Sequence, residues 1–223
     1  MIDPAFELFD LCDRDGKPTG ERKARSLVHR DGDWHRSFHC WVVTMVNGAP
    51  AIVLQKRSAL KETWAGLWDV SVAGHYSAGE GIEGGLREMQ EELGLEVTAE
   101  ELIQTGQRRE EVRYDNGVIE REIQDVYFLL RDVGLDGMRS DVAEVSAVTI
   151  VPAALLEGLV VGDPSSAEVP GGPVLADGRI GIGTLLIATA ELVPRSDGYY
   201  AKATRAAIEL ASGEPAARQP LWW

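Results

Sequence analysis

Residues 87–95 read Arg87-Glu88-Met89-Gln90-Glu91-Glu92-Leu93-Gly94-Leu95. The stretch extends a helical pattern that begins near Ile82. Ile82, Leu86, Met89 and Leu93 recur at three- and four-residue spacing and form an apolar stripe. Gly94 follows as a residue suited to the left-handed conformation that ends a helix. Glu88, Glu91 and Glu92 stand at i, i+3 and i+4, so they share another face of the same helix. Carboxylates packed this closely repel one another. Their crowding has two readings. A hard divalent cation that prefers oxygen ligands, Mg2+ or Mn2+, could sit among them, or the face could be a solvated acidic surface.

Outward from this helix, the chain alternates between strand and turn signals. Glu7–Asp13 reads as a strand, and the Arg14–Pro18 turn makes it half of a hairpin. Ser37–Val46 is apolar and rich in β-formers. Asn47-Gly48 then predicts a tight hairpin turn into a return strand at Ala51–Gln55. Trp68–Ala73 reads as one short strand running into Gly74. A second helix is expected near Thr98, with Glu101 completing a capping box. Gln104–Arg113 and Val118–Leu130 are predicted strands about a turn at Asp115-Asn116-Gly117. Ala147–Pro152 is a further strand, and Ala153–Gly158 a short helix. Beyond it, Val161–Gly183 is rich in Gly, Pro, Ser and Asp and reads as a long loop. Thr184–Val193 and Tyr199–Ser212 are helix candidates. The chain closes on Trp222-Trp223, which reads as a tail docked in a groove or at a subunit interface, or as a free tail; with the N-terminal hairpin it makes a homodimer one expected partner state.

Composition narrows the function classes. The 223 residues, 44% hydrophobic and 26% charged, describe an ordinary globular chain. Acidic residues outnumber basic ones 36 to 22, a net charge of −14, which opposes binding to nucleic-acid phosphates. No apolar run is long enough for a membrane span. Met1–Leu8 carries acids and no basic start, unlike a signal peptide. Cys12 and Cys40 make neither a zinc pattern nor a disulfide framework, so a reducing cytoplasm is the expected location.

The acidic helix and the loop before it resemble the Nudix box, G-x5-E-x7-R-E-U-x-E-E-x-G-U, where U is aliphatic. Gly74 and Glu80 fit its first half and Arg87–Leu95 its second. Six residues, not seven, separate Glu80 from Arg87. The resemblance implies an α/β Nudix fold, a mixed β-sheet between helices, here with an N-terminal hairpin and a C-terminal helical extension. The expected divisions are 1–34 for the hairpin extension, 35–160 for the catalytic core and 161–223 for the loop and C-terminal extension. By position, Glu88, Glu91 and Glu92 would bind Mg2+ or Mn2+, with the Ala73 carbonyl as a further ligand. Glu88 could instead serve as general base, and Arg87 would orient it. Glu80 would help at the metal or brace the loop. The implied activity is metal-dependent hydrolysis of a diphosphate joined to some group X, in a nucleoside diphosphate-X or another organic diphosphate.

Residues 5–155 also resemble isopentenyl-diphosphate isomerase and its Nudix relatives. The shared stretches are D-G-K-P-T-G at 15–20, H-R-S-F-H-C-W at 35–41, K-R-S-A-L-K-E-T-W-A-G-L-W at 56–68 and S-V-A-G-H at 71–75. This resemblance implies a second metal site from His29, His35, His75, Glu120 and Glu122, suited to Mn2+ or Zn2+. Glu120 and Glu122 are two apart on a strand and face one side. Arg57 and Lys61 fall where the isomerase grips its diphosphate. The isomerase needs a cysteine just before the Gly-His pair, where this chain has Ala73. Isomerases carry a degraded acidic helix, whereas Glu88, Glu91 and Glu92 are all present here. Hydrolysis of a small-molecule diphosphate is therefore the leading expectation. Isomerisation, or ligand binding without turnover, are the alternatives. Each candidate also has a structural reading. His29 and His35 could be loop residues, Arg57 and Lys61 surface cations, and Glu120 and Glu122 a solvated strand face. His39, Trp64 and Trp68 read as packed residues. Glu144 is either a late acid of the site or a plain surface acid.

Overall fold

A computed structural model describes residues 7–195 and 197–213. The chain order is β1 (Leu8–Cys12), β2 (Pro18–Ala24), α1 (Arg25–Asp31), β3 (His35–Val46), β4 (Ala49–Arg57), β5 (Trp68–Asp69) and β6 (Val72–His75). It continues with α2 (Ile82–Leu93), β7 (Leu102–Arg113), β8 (Ile119–Leu130), β9 (Val145–Pro152), α3 (Ala153–Val161), β10 (Ser166–Pro173), β11 (Gly183–Ala188) and α4 (Tyr199–Ser212). The Trp222-Trp223 expectation lies outside the described residues.

β3 is the hub of a mixed sheet. It pairs antiparallel with β4 and β6, and parallel with β8, whose other neighbour is β7. Strand alternation sorts its side chains onto two faces. Phe38, Cys40 and Val42 pack with Val53, Met89 and Leu93, which places α2 on one face. Trp41 and Val43 pack with Ile52, Leu156, Tyr199 and Ala203, which places α3 and α4 on the other. The sheet therefore lies between helices, as the sequence predicts.

The predicted strand at 68–73 is two strands, and Ser71 explains the break. β3 and β4 pair only between Val43–Val46 and Ala49–Ile52. Beyond that point they diverge around Ser71, whose hydroxyl accepts from the Val42 N–H at 2.8 Å and donates to the Val53 carbonyl at 2.5 Å. β5 then pairs with β4, and β6 with β3. The divergence carries Ala73, Gly74 and His75 along β3 toward the base of α2.

Three other expectations are corrected. The helix expected near Thr98 is a single 3-10 turn, Ala99–Glu101, before β7; the Glu101 carboxylate does accept from the Thr98 N–H at 2.9 Å. The expected loop over 161–183 contains β10. The expected helix over 184–193 is β11 followed by a 3-10 turn, so among the described residues α4 alone supplies the helix of the C-terminal extension. β10 joins the sheet by pairing Gly171–Pro173 with Thr149–Ala147 of β9. That partner lies more than twenty residues back, so the local Gly- and Pro-rich composition hides the strand. Gly172 permits the close fold of the hairpin, because a Cβ there would lie 1.8 Å from the Gly181 carbonyl oxygen. In β11 the apolar run is not a buried helix face: Leu186 is exposed while its neighbour Ile187 is buried.

Candidate active site

The acidic helix presents its carboxylates at three depths. Glu92 is fully buried against the sheet. Its Oε2 accepts from the Gln55 side-chain amide at 2.7 Å and from the Ala73 N–H at 2.9 Å, and its Oε1 lies 4.0 Å from Lys61 Nζ. Glu88 is nearly buried over Gly74. Glu91 is half exposed at the rim. Burial, and then the charge of Glu92, push the Glu88 carboxyl up to about 8. Burial pushes Glu92 up to about 7, against the pull of Lys61 and the Ala73 N–H. Desolvation raises both of these neighbouring carboxyls and the charge of Glu92 raises Glu88 further, so added positive charge between them would be favoured. That is the chemistry a hard divalent cation would complete.

Arg87 ties the cluster together. Its guanidinium donates to Glu88 Oε1 at 2.8 Å, to Glu91 Oε2 at 3.1 Å, to Glu80 Oε2 at 3.3 Å and to the His75 carbonyl at 3.4 Å. Glu80 also accepts from the Ser77 N–H at 3.0 Å, so despite the shortened gap it stays in the loop and reaches Arg87. Two glycines let α2 approach the sheet closely. A Cβ on Gly74 would lie 2.2 Å from the Glu88 carboxyl carbon, and one on Gly85 would lie 2.3 Å from the Phe38 ring. Lys61 pairs with Glu144 and stands between it and Glu92.

The opposite side of β6 carries a second constellation. His29 from α1, His35 from β3 and His75 from β6 each offer a ring nitrogen, all within 4.8 Å of one another. Phe9 stacks on His35 at 5.2 Å and on His75 at 4.9 Å. His35 Nδ1 lies 3.1 Å from the Asp33 carbonyl and donates its proton there, which leaves the Nε2 lone pair facing inward. His35 Nε2 and His29 Nε2 are buried with no hydrogen-bond partner among the described residues. His75 Nε2 is 3.0 Å from Glu122 Oε1, and Ser37 and Gln124 donate to Glu122 Oε2 at 2.9 and 2.8 Å. Burial lowers His29 to about 4 and His75 to about 3, so these rings are neutral at physiological pH. Orphaned neutral imidazole nitrogens beside a carboxylate form a donor set that fits Mn2+ or Zn2+. Glu120 faces the same side. Tyr114 and Thr63 donate to it at 2.6 and 3.1 Å, and burial and Glu122 raise it to about 7.

The NUDIX domain family matches residues 33–168. The chain is 32% identical over 203 residues to a Clostridium acetobutylicum protein named as an uncharacterized Nudix hydrolase. That alignment covers 91% of this chain and 98% of the relative. The chain belongs to the NUDIX family. A second relative is the isopentenyl-diphosphate Delta-isomerase of Paenarthrobacter aurescens, 31% identical over 163 residues, covering 73% of this chain and 85% of the isomerase. Among solved structures, DR0079 of Deinococcus radiodurans is similar in fold with a TM-score of 0.50, at 17% identity, covering 78% of this chain and 93% of that one.

Within this NUDIX chain, the residues singled out in the sequence fall into two groups. Glu80, Arg87, Glu88, Glu91, Glu92, Lys61 and Glu144 meet at α2, close to the Ala73 backbone. His29, His35, His75, Glu120 and Glu122 meet across β6. Arg57 belongs to neither group outright. It donates to the Thr63 carbonyl and hydroxyl and reaches Asp69 at 3.5 Å, and its charge bears on both Glu92 and Glu120. His39 is packed, with Nδ1 3.1 Å from the Tyr199 hydroxyl. Trp68 is core, and Trp64 is a half-buried loop residue lying edge-on to Tyr114 at 5.3 Å.

Sequence reading missed Gln55, Thr63, Tyr114 and Phe9. Gln55 had a usable signal, a lone amide ending the apolar run of β4. It also missed a buried ionic network. Arg195 pairs with Asp69 at 3.1 Å and with Glu110. Arg108 donates to Glu110 at 2.8 Å, to Gln124 and Asp197 at 2.6 Å each, and lies 4.6 Å from the centre of the Tyr199 ring. No local pattern reveals these partners, because Asp69 and Arg195 are 126 residues apart.

Proposed function

We propose that this protein is a divalent-metal-dependent hydrolase that cleaves the diphosphate linkage of an organic diphosphate. The observation that carries the reading is the buried Glu88–Glu92 pair, braced by Arg87 and faced by Lys61. Glu88, Glu91, Glu92 and the Ala73 carbonyl would hold Mg2+ or Mn2+. When bound, the ion supplies Lewis acidity and neutralises charge on the diphosphate. The chain's own groups do the rest. If Glu88 does not ligate the ion, it would instead take a proton from the attacking water, and Arg87, which donates to its Oε1, fixes its orientation. Lys61 offers the diphosphate a point charge once it exchanges Glu144 for substrate, and Arg57 steadies the loop that carries Lys61. Glu80 braces the loop before α2 and accepts from Arg87.

A second metal, Mn2+ or Zn2+, would be held by His29, His35, His75 and Glu122, with Glu120 beside them. This set favours isomerase chemistry as the second reading. Protonation at carbon would need an acid where Ala73 stands. Cys40 is buried on the α2 face of β3, where it pairs opposite Val72 rather than Ala73, and Cys12 lies on β1. We rank hydrolysis first. The finer readings attached to it are a homodimer, a cytoplasmic setting and no nucleic-acid partner; among the described residues no helix is long and apolar enough to cross a membrane.

The test is a screen of diphosphates with Mg2+ or Mn2+, read by phosphate release, with Glu92→Gln in parallel. Turnover that vanishes in the variant is expected. Undiminished turnover in the variant, or conversion of isopentenyl diphosphate to its allylic isomer by the wild type, would displace the assignment.

A further inference from the structure

Glu122 offers its two oxygens to different neighbours. Oε1 faces the imidazoles, 3.0 Å from His75 Nε2 and 3.9 Å from His35 Nε2. Oε2 accepts from the Ser37 hydroxyl and from the Gln124 amide. Strand register sets this up. Across β3 and β8, His35 stands beside Glu122 and Ser37 beside Gln124. Across β7 and β8, Glu110 stands beside Glu122 and Arg108 beside Gln124. Residues two apart on a strand share a face, so these six side chains lie on one side of the sheet. All six are buried.

The partners of the Gln124 amide dictate its orientation. Its Oε1 accepts from Arg108 Nη1 at 2.6 Å, and its Nε2 donates to Glu122 Oε2 at 2.8 Å and to Glu110 Oε2 at 3.0 Å. A guanidinium can only donate and an ionised carboxylate can only accept, so the reverse orientation would lose all three bonds. The amide protons are thereby committed to two carboxylates that oppose each other across the strands, an arrangement that is unfavourable for bare like charges. Glu110 is balanced by Arg108 and Arg195. Glu122 has no such cation. Among the described residues its ion-pair partners are the imidazoles of His35 and His75. The last torsion of a glutamate side chain is broad, so no rotamer preference keeps Oε1 turned toward those rings. The bonds from Ser37 and Gln124 do.

We propose that Ser37 and Gln124 are positioning residues for the imidazole site: by holding Glu122 Oε2 they turn Oε1 alone toward a cation bound by His29, His35 and His75. The proposal rests on the reading of that cluster as a metal site. Both residues act through Glu122 rather than on the ion. The test uses the full-length protein and Zn2+, with affinity measured by competition against a chromophoric chelator. Gln124→Met, close in volume but unable to donate, should weaken Zn2+ binding by about 10–100-fold, and Ser37→Ala by about tenfold. Arg195→Met is the control. It removes a cation from the same buried network but leaves both bonds to Glu122, so it should lose stability and keep an affinity close to wild type. Co2+ adds a readout that a loss of stability alone does not move, because its visible absorption reports the geometry of its ligands. That spectrum should change in Gln124→Met and Ser37→Ala and not in Arg195→Met. Circular dichroism would verify folding, and Ser37→Ala carries the test should Gln124→Met fail to fold. Wild-type affinity and spectrum in the folded Ser37 and Gln124 variants, or an equal loss of affinity in Arg195→Met, would overturn the proposal while the metal reading stands. A wild-type protein that binds no Zn2+ would overturn the metal reading of the cluster and the proposal with it.

Discussion

β6 separates two metal-ready constellations by the thickness of one strand. On its α2 side, carboxylates supply oxygen, one of them open at the rim, with Lys61 and Arg87 at hand. On its other side, imidazoles and Glu122 supply nitrogen and oxygen in a buried pocket closed by Phe9. His75 joins the two, since its ring belongs to the second cluster and its backbone carbonyl accepts from Arg87 of the first. The contrast teaches that donor chemistry and access divide the labour. An open oxygen-rich site with cationic side chains at its edge suits a charged substrate that comes and goes. A closed nitrogen-rich site suits an ion that stays.

The largest expected effect separates the two sides by activity. Glu88→Gln should lower kcat by roughly 10²–10⁴-fold in a steady-state phosphate-release assay, the usual worth of a positioned general base. If His35→Ala costs as much and Glu88→Gln costs nothing, the roles of the two faces are reversed. A second prediction tests the scaffold behind the imidazole side. Arg195→Met removes the cation shared by Asp69 and Glu110, leaving Asp69 only the longer contact to Arg57 and Glu110 only Arg108, and should cost up to about 3–5 kcal/mol in denaturant unfolding. Burial raises Asp69, but Arg195 and Arg57 outweigh it and hold the native carboxyl below its usual range. A depressed native pKa binds fewer protons than the unfolded chain. The stabilisation is therefore complete above the ordinary aspartate range and is lost as pH falls through the lower native value. Melting curves across acid pH should show that loss in the wild type and a flatter acid limb in Arg195→Met.

A third prediction reads metal retention. His29→Ala should weaken binding of Zn2+ or Mn2+ by at least ~10–100-fold, measured by metal content after dialysis against a competing chelator. Retention equal to wild type would remove His29 from the ligand set. The smallest effect concerns the closeness of the carboxylate face to the sheet. Gly85→Ala puts a methyl group 2.3 Å from the Phe38 ring, and such overpacking should cost about 1–3 kcal/mol in thermal or denaturant unfolding. A variant as stable as wild type would mean that α2 can lift off β3 freely.

Much of this comparison is legible in the sequence. Glu88, Glu91, Glu92 and Arg87 lie within one helix, where about 3.6 residues per turn fixes which side chains meet. Asn47-Gly48 and Asp115-Asn116-Gly117 marked hairpins because the turn needs residues that tolerate positive φ, and Asn47, Gly48 and Gly117 all have it. The imidazole cluster was reached through resemblance, because His29, His35 and His75 come from three elements and no local period links them. The 161–193 region was misread for a related reason. Its strands are defined by pairing with β9, and composition reports local preference rather than a remote partner.

The sequence by itself determined the acidic helix, its glycine stop, the hairpins and the absence of a cysteine at position 73. All of these depend on neighbours within a turn or two of chain. Only the tertiary structure decided that Glu92 is buried and Glu91 is not, that Ser71 parts β3 from β4, that Arg195 meets Asp69, and that Trp64 lies edge-on to Tyr114. Those outcomes depend on which distant strands and helices come into contact, and burial and electrostatic partners are properties of that contact rather than of the local chain.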